Sequence, residues 1–202
     1  MPKLLLATTN QGKAREYRHL LKGLPFELVT LAEEGINVAV DEKNTTFEEN
    51  ARLKATLYSG FSHFITLADD SGLEVDALGG EPGIRSARFA GDEASDEDRV
   101  EHLLSRLKEV PWEKRTARFR CAVAIAVPEG GTEVCHGECR GLIALQPKGE
   151  NGFGYDPVFY FPELDKTMAE LPLETKNRIS HRAGAAQEAY RMLEKLAEKV
   201  KT

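Results

Sequence analysis

Asp69 and Asp70 stand side by side at the end of an apolar run, Thr66-Leu67-Ala68, and are followed by Ser71-Gly72. Two adjacent carboxylates repel each other, and in extended backbone consecutive side chains leave on opposite faces. One carboxylate is therefore expected to enter a site while the other turns to structure or solvent. The same residues also compose a solvated turn, so their neighbours must separate the two readings. Lys13, Lys54 and Lys176 are candidate phosphate partners, and Glu42 and Asp70 are hard oxygen ligands of the kind magnesium takes. A cation on phosphate oxygens neutralises charge as a bond breaks and acidifies an attacking water, so this set suits phosphoryl transfer.

The elements that must carry these residues follow from periodicity. An apolar run bounded by turn formers predicts a strand ending near Asp69-Asp70, at the kind of strand end where α/β folds hold ligands. Lys3 to Ala7 predicts an earlier strand, followed by the loop Thr8-Thr9-Asn10-Gln11-Gly12-Lys13 and a helix with Ala14, Tyr17, Leu20 and Leu21 on one face. That helix start can take an anion on its free amides, and Thr-Thr-Asn can equally be a simple N-cap. A strand over Phe26 to Leu31 precedes a helix opened by Thr46-Phe47-Glu48-Glu49, the pattern of a capping box, and running to about Phe61. Its inner stripe is Phe47, Ala51, Ala55 and Tyr58. Lys54 lies on the same stripe, where a lysine either snorkels to the rim or meets an anion.

Further along, Leu73 to Leu78 reads as another strand, and Gly79 to Gly91 as a glycine-rich loop. Ser95 and Asp98 cap a helix bearing Val100, Leu103, Leu104 and Leu107. Thr116 to Val127 is a long strand. One of its faces carries Ala117, Phe119, Cys121, Val123, Ile125 and Val127, and the other changes from Arg118 and Arg120 to Ala122, Ala124 and Ala126, so half of that face is expected to be covered. Strands near Glu133–Glu138 and Gly141–Leu145 continue an antiparallel meander. The loop Gly149 to Pro157 is too glycine-rich for a regular element and too aromatic for a linker. Thr167 to Glu170 starts a short helix that Pro172 stops. Positive charge at Lys176, Arg178, His181 and Arg182 precedes a last helix that buries Ala186, Ala189, Tyr190, Leu193, Leu196 and Val200.

With 202 residues the chain can bury a sizeable core, and 27 basic against 33 acidic residues give a net charge of −6. That balance speaks against a general nucleic-acid surface. No apolar run approaches the roughly 20 residues that span a bilayer. The start, Met1-Pro2-Lys3, lacks the layout of a secretory signal, so a cytoplasmic location without membrane attachment is expected. Three cysteines fit a reducing compartment. Cys135-His136-Gly137-Glu138-Cys139 invites a zinc reading but has no second ligand pair at suitable spacing, and packing is the expectation for Cys121, Cys135 and Cys139.

Taken in order, Ala7-Thr8-Thr9-Asn10-Gln11-Gly12-Lys13, Thr46-Phe47-Glu48-Glu49-Asn50-Ala51, Ala68-Asp69-Asp70-Ser71-Gly72, Gly80-Glu81-Pro82-Gly83-Ile84, Gly152-Phe153-Gly154-Tyr155-Asp156-Pro157 and Ser180-His181-Arg182 span essentially the whole chain. Together they resemble the inosine triphosphate pyrophosphatases, also called XTP/dITP diphosphatases; Thr9 departs from the glycine that many members carry. The resemblance implies a single nucleoside triphosphate pyrophosphatase domain over residues 1–202. The expected fold is α/β, a central mixed sheet flanked by helices, in two lobes with a nucleotide cleft between them. The implied reaction is magnesium-dependent hydrolysis of ITP, dITP and XTP to the monophosphate and pyrophosphate by a homodimer. By motif, Thr8, Thr9, Asn10, Gln11, Gly12 and Lys13 contact phosphate and sugar, Glu42 and Asp70 hold Mg2+, and Asp70 accepts the proton of the attacking water. Lys54, Ser71 and Lys176 are also placed at the substrate. Phe153, Gly154, Tyr155 and Asp156 would frame the base, with His181 and Arg182 as donors near its 6-oxo group. A Maf-type pyrophosphatase of different base preference and a non-catalytic nucleotide sensor are the rival readings, and a haloacid-dehalogenase phosphatase would need Asp-x-Asp.

Overall fold

In the computed structural model, which describes residues 1–42 and 44–200 with the side chains of the last two left out, alternation along the strands decides where every layer lies. Strand β1 (Lys3–Leu6) pairs in parallel with β2 (Glu27–Thr30) and with β3 (Ile65–Val75). β4 (Thr116–Ala126), β5 (Thr132–Ile143), β6 (Phe159–Phe161) and β7 (Lys166–Thr167) complete a seven-stranded mixed sheet in the order β2-β1-β3-β4-β5-β6-β7. β5 and β6 pair antiparallel, as do β6 and β7. The helices are α1 (Gln11–Leu20), α2 (Phe47–Ser62), α3 (Asp96–Arg106), α4 (Leu173–Ile179) and α5 (His181–Val200). This is the expected α/β class.

The chain forms two compact units, each assembled from separate segments. The first comprises residues 1–70, 121–137 and 182–202. β1 from Leu4, β3 as far as Asp69 and β4 from Cys121 are buried on both faces. Leu4, Leu6, Leu67, Cys121, Val123 and Ile125 join Tyr17 of α1 and Ala186, Ala189 and Leu193 of α5 in one cluster. Leu5, Ala7, Ala68, Ala122, Ala124 and Ala126 join Phe47, Ala51, Ala55 and Tyr58 of α2 in another. Period two on the strands and period 3.6 on the helices thus meet as three layers, and alanines opposite α2 let that helix lie close.

The second unit comprises residues 71–120 and 138–181. Leu73, Val75, Ala117, Phe119, Ile143 and Phe159 pack with Val100, Leu103 and Leu107 of α3 and its extension. On the opposite strand face Glu74 pairs with Arg118 at 2.6 Å and with Arg120 at 3.4 Å, and both arginines stay partly exposed. The expected change of character along β4 is therefore real: alanines lie under α2, and arginines face outward.

Several local expectations are corrected. β3 does not end at Asp69-Asp70 with a new strand over Leu73 to Leu78. It runs unbroken to Val75, and Asp76–Leu78 is a 3-10 turn. The carboxylates find partners on either side of the strand, so the backbone has no need to turn there. The two short strands expected over 133–138 and 141–145 are the single strand β5. Its Gly141 marks a close approach instead of a break, since a Cβ there would lie 2.5 Å from the Tyr160 carbonyl oxygen. Of the basic residues expected to precede the last helix, Lys176 and Arg178 lie within α4, whereas His181 and Arg182 are the first residues of α5, with Ser180 between the two helices. Thr46 caps α2, but Glu49 reaches the amide of Thr45 at 3.3 Å in place of the Thr46 amide that a capping box uses. Ser95 and Asp98 form the full box. The buried position expected for Val200 concerns a side chain that lies outside those described.

Candidate active site

The loop after β1 is organised by its own side chains. Thr8 Oγ1 accepts from the Asn10 amide at 3.1 Å, and Asn10 Oδ1 accepts from the Lys13 amide at 3.0 Å, which caps α1. The N-cap reading is thereby realised, and the first-turn amides of Gln11 and Gly12 precede the helical bonding ladder. Thr9, where glycine is common in the family it resembles, is not among the non-glycine residues with positive φ, so the loop does not call on glycine's freedom at that position. Lys13 leaves the first turn of α1 with Nζ 3.1 Å from Asp69 Oδ2.

Asp69 and Asp70 leave β3 on opposite faces, as strand geometry requires. Asp69 is buried against Lys13, with Arg182 Nε at 3.5 Å and the Cys121 thiol at 3.8 Å. Burial would raise its pKa, but the charges of Lys13, Arg182 and Lys54 outweigh that and hold the carboxyl far below the usual range. Arg182 is itself buried beneath Tyr17 and donates from Nη1 to Glu16 Oε2 at 2.6 Å.

Asp70 meets the α2 face. Asn50 Nδ2 donates to its Oδ2 at 3.1 Å, and Lys54 Nζ lies 3.4 Å from its Oδ1 and 2.9 Å from Glu42 Oε2. Lys54 has therefore met anions rather than the rim. Burial is the largest influence on Asp70 and raises its pKa; Lys54 and Lys13 oppose it, Glu42 reinforces it, and the bond from Asn50 lowers it, leaving the carboxyl above its ordinary value. Burial disfavours the charge on Lys54, yet Asp70, Glu42 and Asp69 more than compensate and its pKa is raised. Two neighbouring aspartates thus hold different proton affinities, an arrangement suited to one structural and one reactive carboxylate. Glu42 and Asp70 converge on one cation, and a divalent ion needing hard oxygens could be held by the same two groups.

The second unit gathers a different set. Asp156 Oδ2 accepts from the Phe153 amide at 2.9 Å and pairs with Lys176. Lys176 is only 3% exposed, and its ammonium lies 4.9 Å from the Phe153 ring centroid. The Gly154 amide donates to Asp96 Oδ2 at 2.6 Å, and the Tyr155 hydroxyl to the Ser86 carbonyl at 2.8 Å. His181 stacks on Phe119 with centroids 4.6 Å apart, and its Nδ1 is 3.8 Å from the Cys139 thiol. Ser71, partly exposed, opens this unit's part of β3.

Within the first unit Lys13 and Arg182 meet at Asp69 on one face of β3, and Lys54 and Glu42 gather at Asp70 on the other; within the second, Phe153, Asp156 and Lys176 meet, with Gly154 and Tyr155 on the same loop. Lys176, read from sequence as a phosphate partner, is engaged by the aromatic loop. Glu16, Asn50 and Asp96 are site neighbours that the sequence does not mark as functional. Asn50 carried a usable signal, for it lies on the stripe of Phe47, Ala51 and Lys54. Glu16 did not, because its partner is 166 residues away. The cysteines pack: Cys135 touches Met192 Sδ at 3.3 Å, and burial pushes the Cys121 and Cys135 thiols up to about 12.

Lysines, carboxylates and a capped loop on a mixed α/β sheet define a protein built to act on phosphate anhydrides. The chain belongs to the Ham1 family, whose family model matches residues 4–192. It is 45% identical over 194 residues to a dITP/XTP pyrophosphatase of Bacillus subtilis, covering 96% of this chain and 98% of that one. A dITP/XTP pyrophosphatase of Geobacter sulfurreducens is 50% identical over 185 residues, 92% and 93% of the two chains. The solved structure of the Staphylococcus aureus Ham1 protein aligns with a TM-score of 0.84 at 43% identity, over 95% of this chain and 98% of that one. Among the described residues no helix is long and apolar enough to cross a membrane.

Proposed function

We propose that this protein hydrolyses the non-standard purine nucleoside triphosphates ITP, dITP and XTP to nucleoside monophosphate and pyrophosphate, removing deaminated purines from the nucleotide pool. The observation that carries the reading is Asp70: a carboxylate of raised pKa, gripped by Asn50 and Lys54 beside Glu42. A carboxylate so held is a general base for water. Glu42 and Asp70 would hold Mg2+, which when bound neutralises phosphate charge and acidifies water. Lys13, Lys54 and the loop Thr8 to Gly12, with the first-turn amides of Gln11 and Gly12, bind phosphate and sugar oxygens, the helix start favouring anions. Ser71 adds a hydroxyl.

Phe153, Gly154, Tyr155 and Asp156 frame the base, with Lys176 fixing Asp156 and the Phe153 ring. At the start of α5 the His181 backbone and the Arg182 guanidinium, oriented by Glu16 and Asp69, face the 6-oxo group. An adenine amino group there would leave donors unmatched, a mismatch that can reach about 10⁴-fold. Both units serve one catalytic domain over residues 1–202, in a cytoplasmic homodimer whose mass sedimentation would report.

The test is magnesium-dependent turnover of ITP, XTP, dITP, ATP, GTP and dTTP with pyrophosphate and orthophosphate scored separately. Pyrophosphate from ITP, dITP and XTP with little from ATP is the expected result. Orthophosphate release, a pyrimidine preference or no turnover would overturn the reading.

A further inference from the structure

α2 reaches Asp70 with two side chains four residues apart, which in a helix lie on one face. Lys54 takes Oδ1, and Asn50, one turn earlier and 3% exposed, takes Oδ2 at 3.1 Å. The terminal torsion of an aspartate is broad, so a single contact leaves the carboxylate free to rotate. Contacts to both oxygens fix its plane.

The Asn50 amide has one workable orientation, since exchanging its ends would set Oδ1 against the carboxylate. In that orientation Oδ1 is buried with no hydrogen-bond partner among the described residues. A buried amide with an unmet acceptor is a poor choice for stability alone, and such groups call for an explanation. What the amide offers is a neutral donor. A second cation at position 50 would compete with Lys54 for the carboxylate, and an acid would repel it.

We infer that Asn50 is a positioning residue for Asp70: by donating to Oδ2 it sets the plane in which the carboxylate meets the attacking water. The inference rests on the reading of Asp70 as proton acceptor. Asn50 is assigned to act through Asp70 and not on the substrate.

The test is a double-mutant cycle of Asn50→Ala and Asp70→Asn, with kcat and KM for ITP and Tm measured on each purified protein. Asn50→Ala is expected to lower kcat about 10- to 100-fold, the scale of a misplaced catalytic group, with KM changed less than about twofold. In the Asp70→Asn background the same substitution is expected to change the residual rate less than about twofold, because Asn50 acts through Asp70. Should Asn50→Ala fail to fold, Asn50→Leu, similar in shape, neutral and lacking the donor, should show the same kcat loss. An unchanged kcat, or an equal loss in both backgrounds, would overturn the inference. An active Asp70→Asn protein would overturn the reading of Asp70, whereas an inert one beside an active Asn50→Ala protein would overturn the role of Asn50 alone.

Discussion

The two units hold their polar groups by different means. In the first, Lys13, Asn50, Lys54, Asp69 and Asp70 project from helices and a strand buried on both faces, so each is placed by an element that cannot easily shift. In the second, Phe153, Gly154, Tyr155 and Asp156 lie on a loop, held by the Asp96 carboxylate, the Ser86 carbonyl and Lys176. Sites on regular elements are the more exact, while loops change without disturbing the scaffold. On the proposed reading, bond breaking belongs to the first unit and the aromatic loop that frames the base to the second, an assignment that substitutions can break.

The largest expected effect separates neighbours on one strand. Asp70→Asn should lower kcat by about 10³-fold, within the range for a lost general base, with ITP binding retained. Its raised pKa favours the protonated folded form, so the stability Asp70 contributes is present below the unfolded carboxylate pKa and lost as pH rises through the folded value. At neutral pH the Asn variant should therefore have an equal or higher Tm. Asp69 has the opposite sign. Its lowered pKa gives stability that is present above the unfolded value and lost only as pH falls toward the folded one. Asp69→Asn leaves Lys13 without its carboxylate and Arg182 with Glu16 but not Asp69, and should cost about 3–5 kcal/mol at neutral pH, read by denaturant unfolding. A stable Asp69→Asn protein, or one inactive only in chemistry, would erase the contrast.

How far the sequence shows this depends on the range of each contact. The helices with period 3.6 and the two-sided burial of β1 are legible because they are local patterns, and so is the opposite fate of Asp69 and Asp70. The continuity of β3 is not legible. Asp-Asp-Ser-Gly has turn propensity, and what overrides it is Lys13, Asn50, Lys54 and Arg182, brought from other elements. Lys176 shows the same limit: its residue type makes it a candidate phosphate partner, while its contacts with Asp156 and Phe153 are visible only in the fold. Gly141 reads as a break only until Tyr160 is known to lie against it.

In the second unit, Gly152 tests the loop. Its φ is +81°, and a Cβ would fall 1.9 Å from Asp156 Oδ2 and 3.0 Å from Lys176 Nζ. An alanine must displace Asp156 and with it the Phe153 amide contact. Gly152→Ala should raise KM for ITP about tenfold, roughly 1.4 kcal/mol of binding, and narrow the ITP over ATP preference, with kcat changed less. A fall in kcat at constant KM would mean that the loop serves chemistry, and the division between units would fail.

The smallest expected effect is at Arg118, which pairs with Glu74 at 2.6 Å on the outward face of β4 while 40% of its side chain stays exposed. Water and salt screen such a pair, and exposed pairs contribute about 0.2–1 kcal/mol. Arg120 also reaches Glu74, at 3.4 Å, so the carboxylate keeps a partner when Arg118 is removed. Arg118→Ala should lower Tm by no more than about 3 °C and leave turnover of ITP unchanged. That near-neutrality contrasts with Asp69 because burial, not the number of ion pairs, decides what a lost partner costs. A loss of several kcal/mol at Arg118 would show that this face is covered in the working protein.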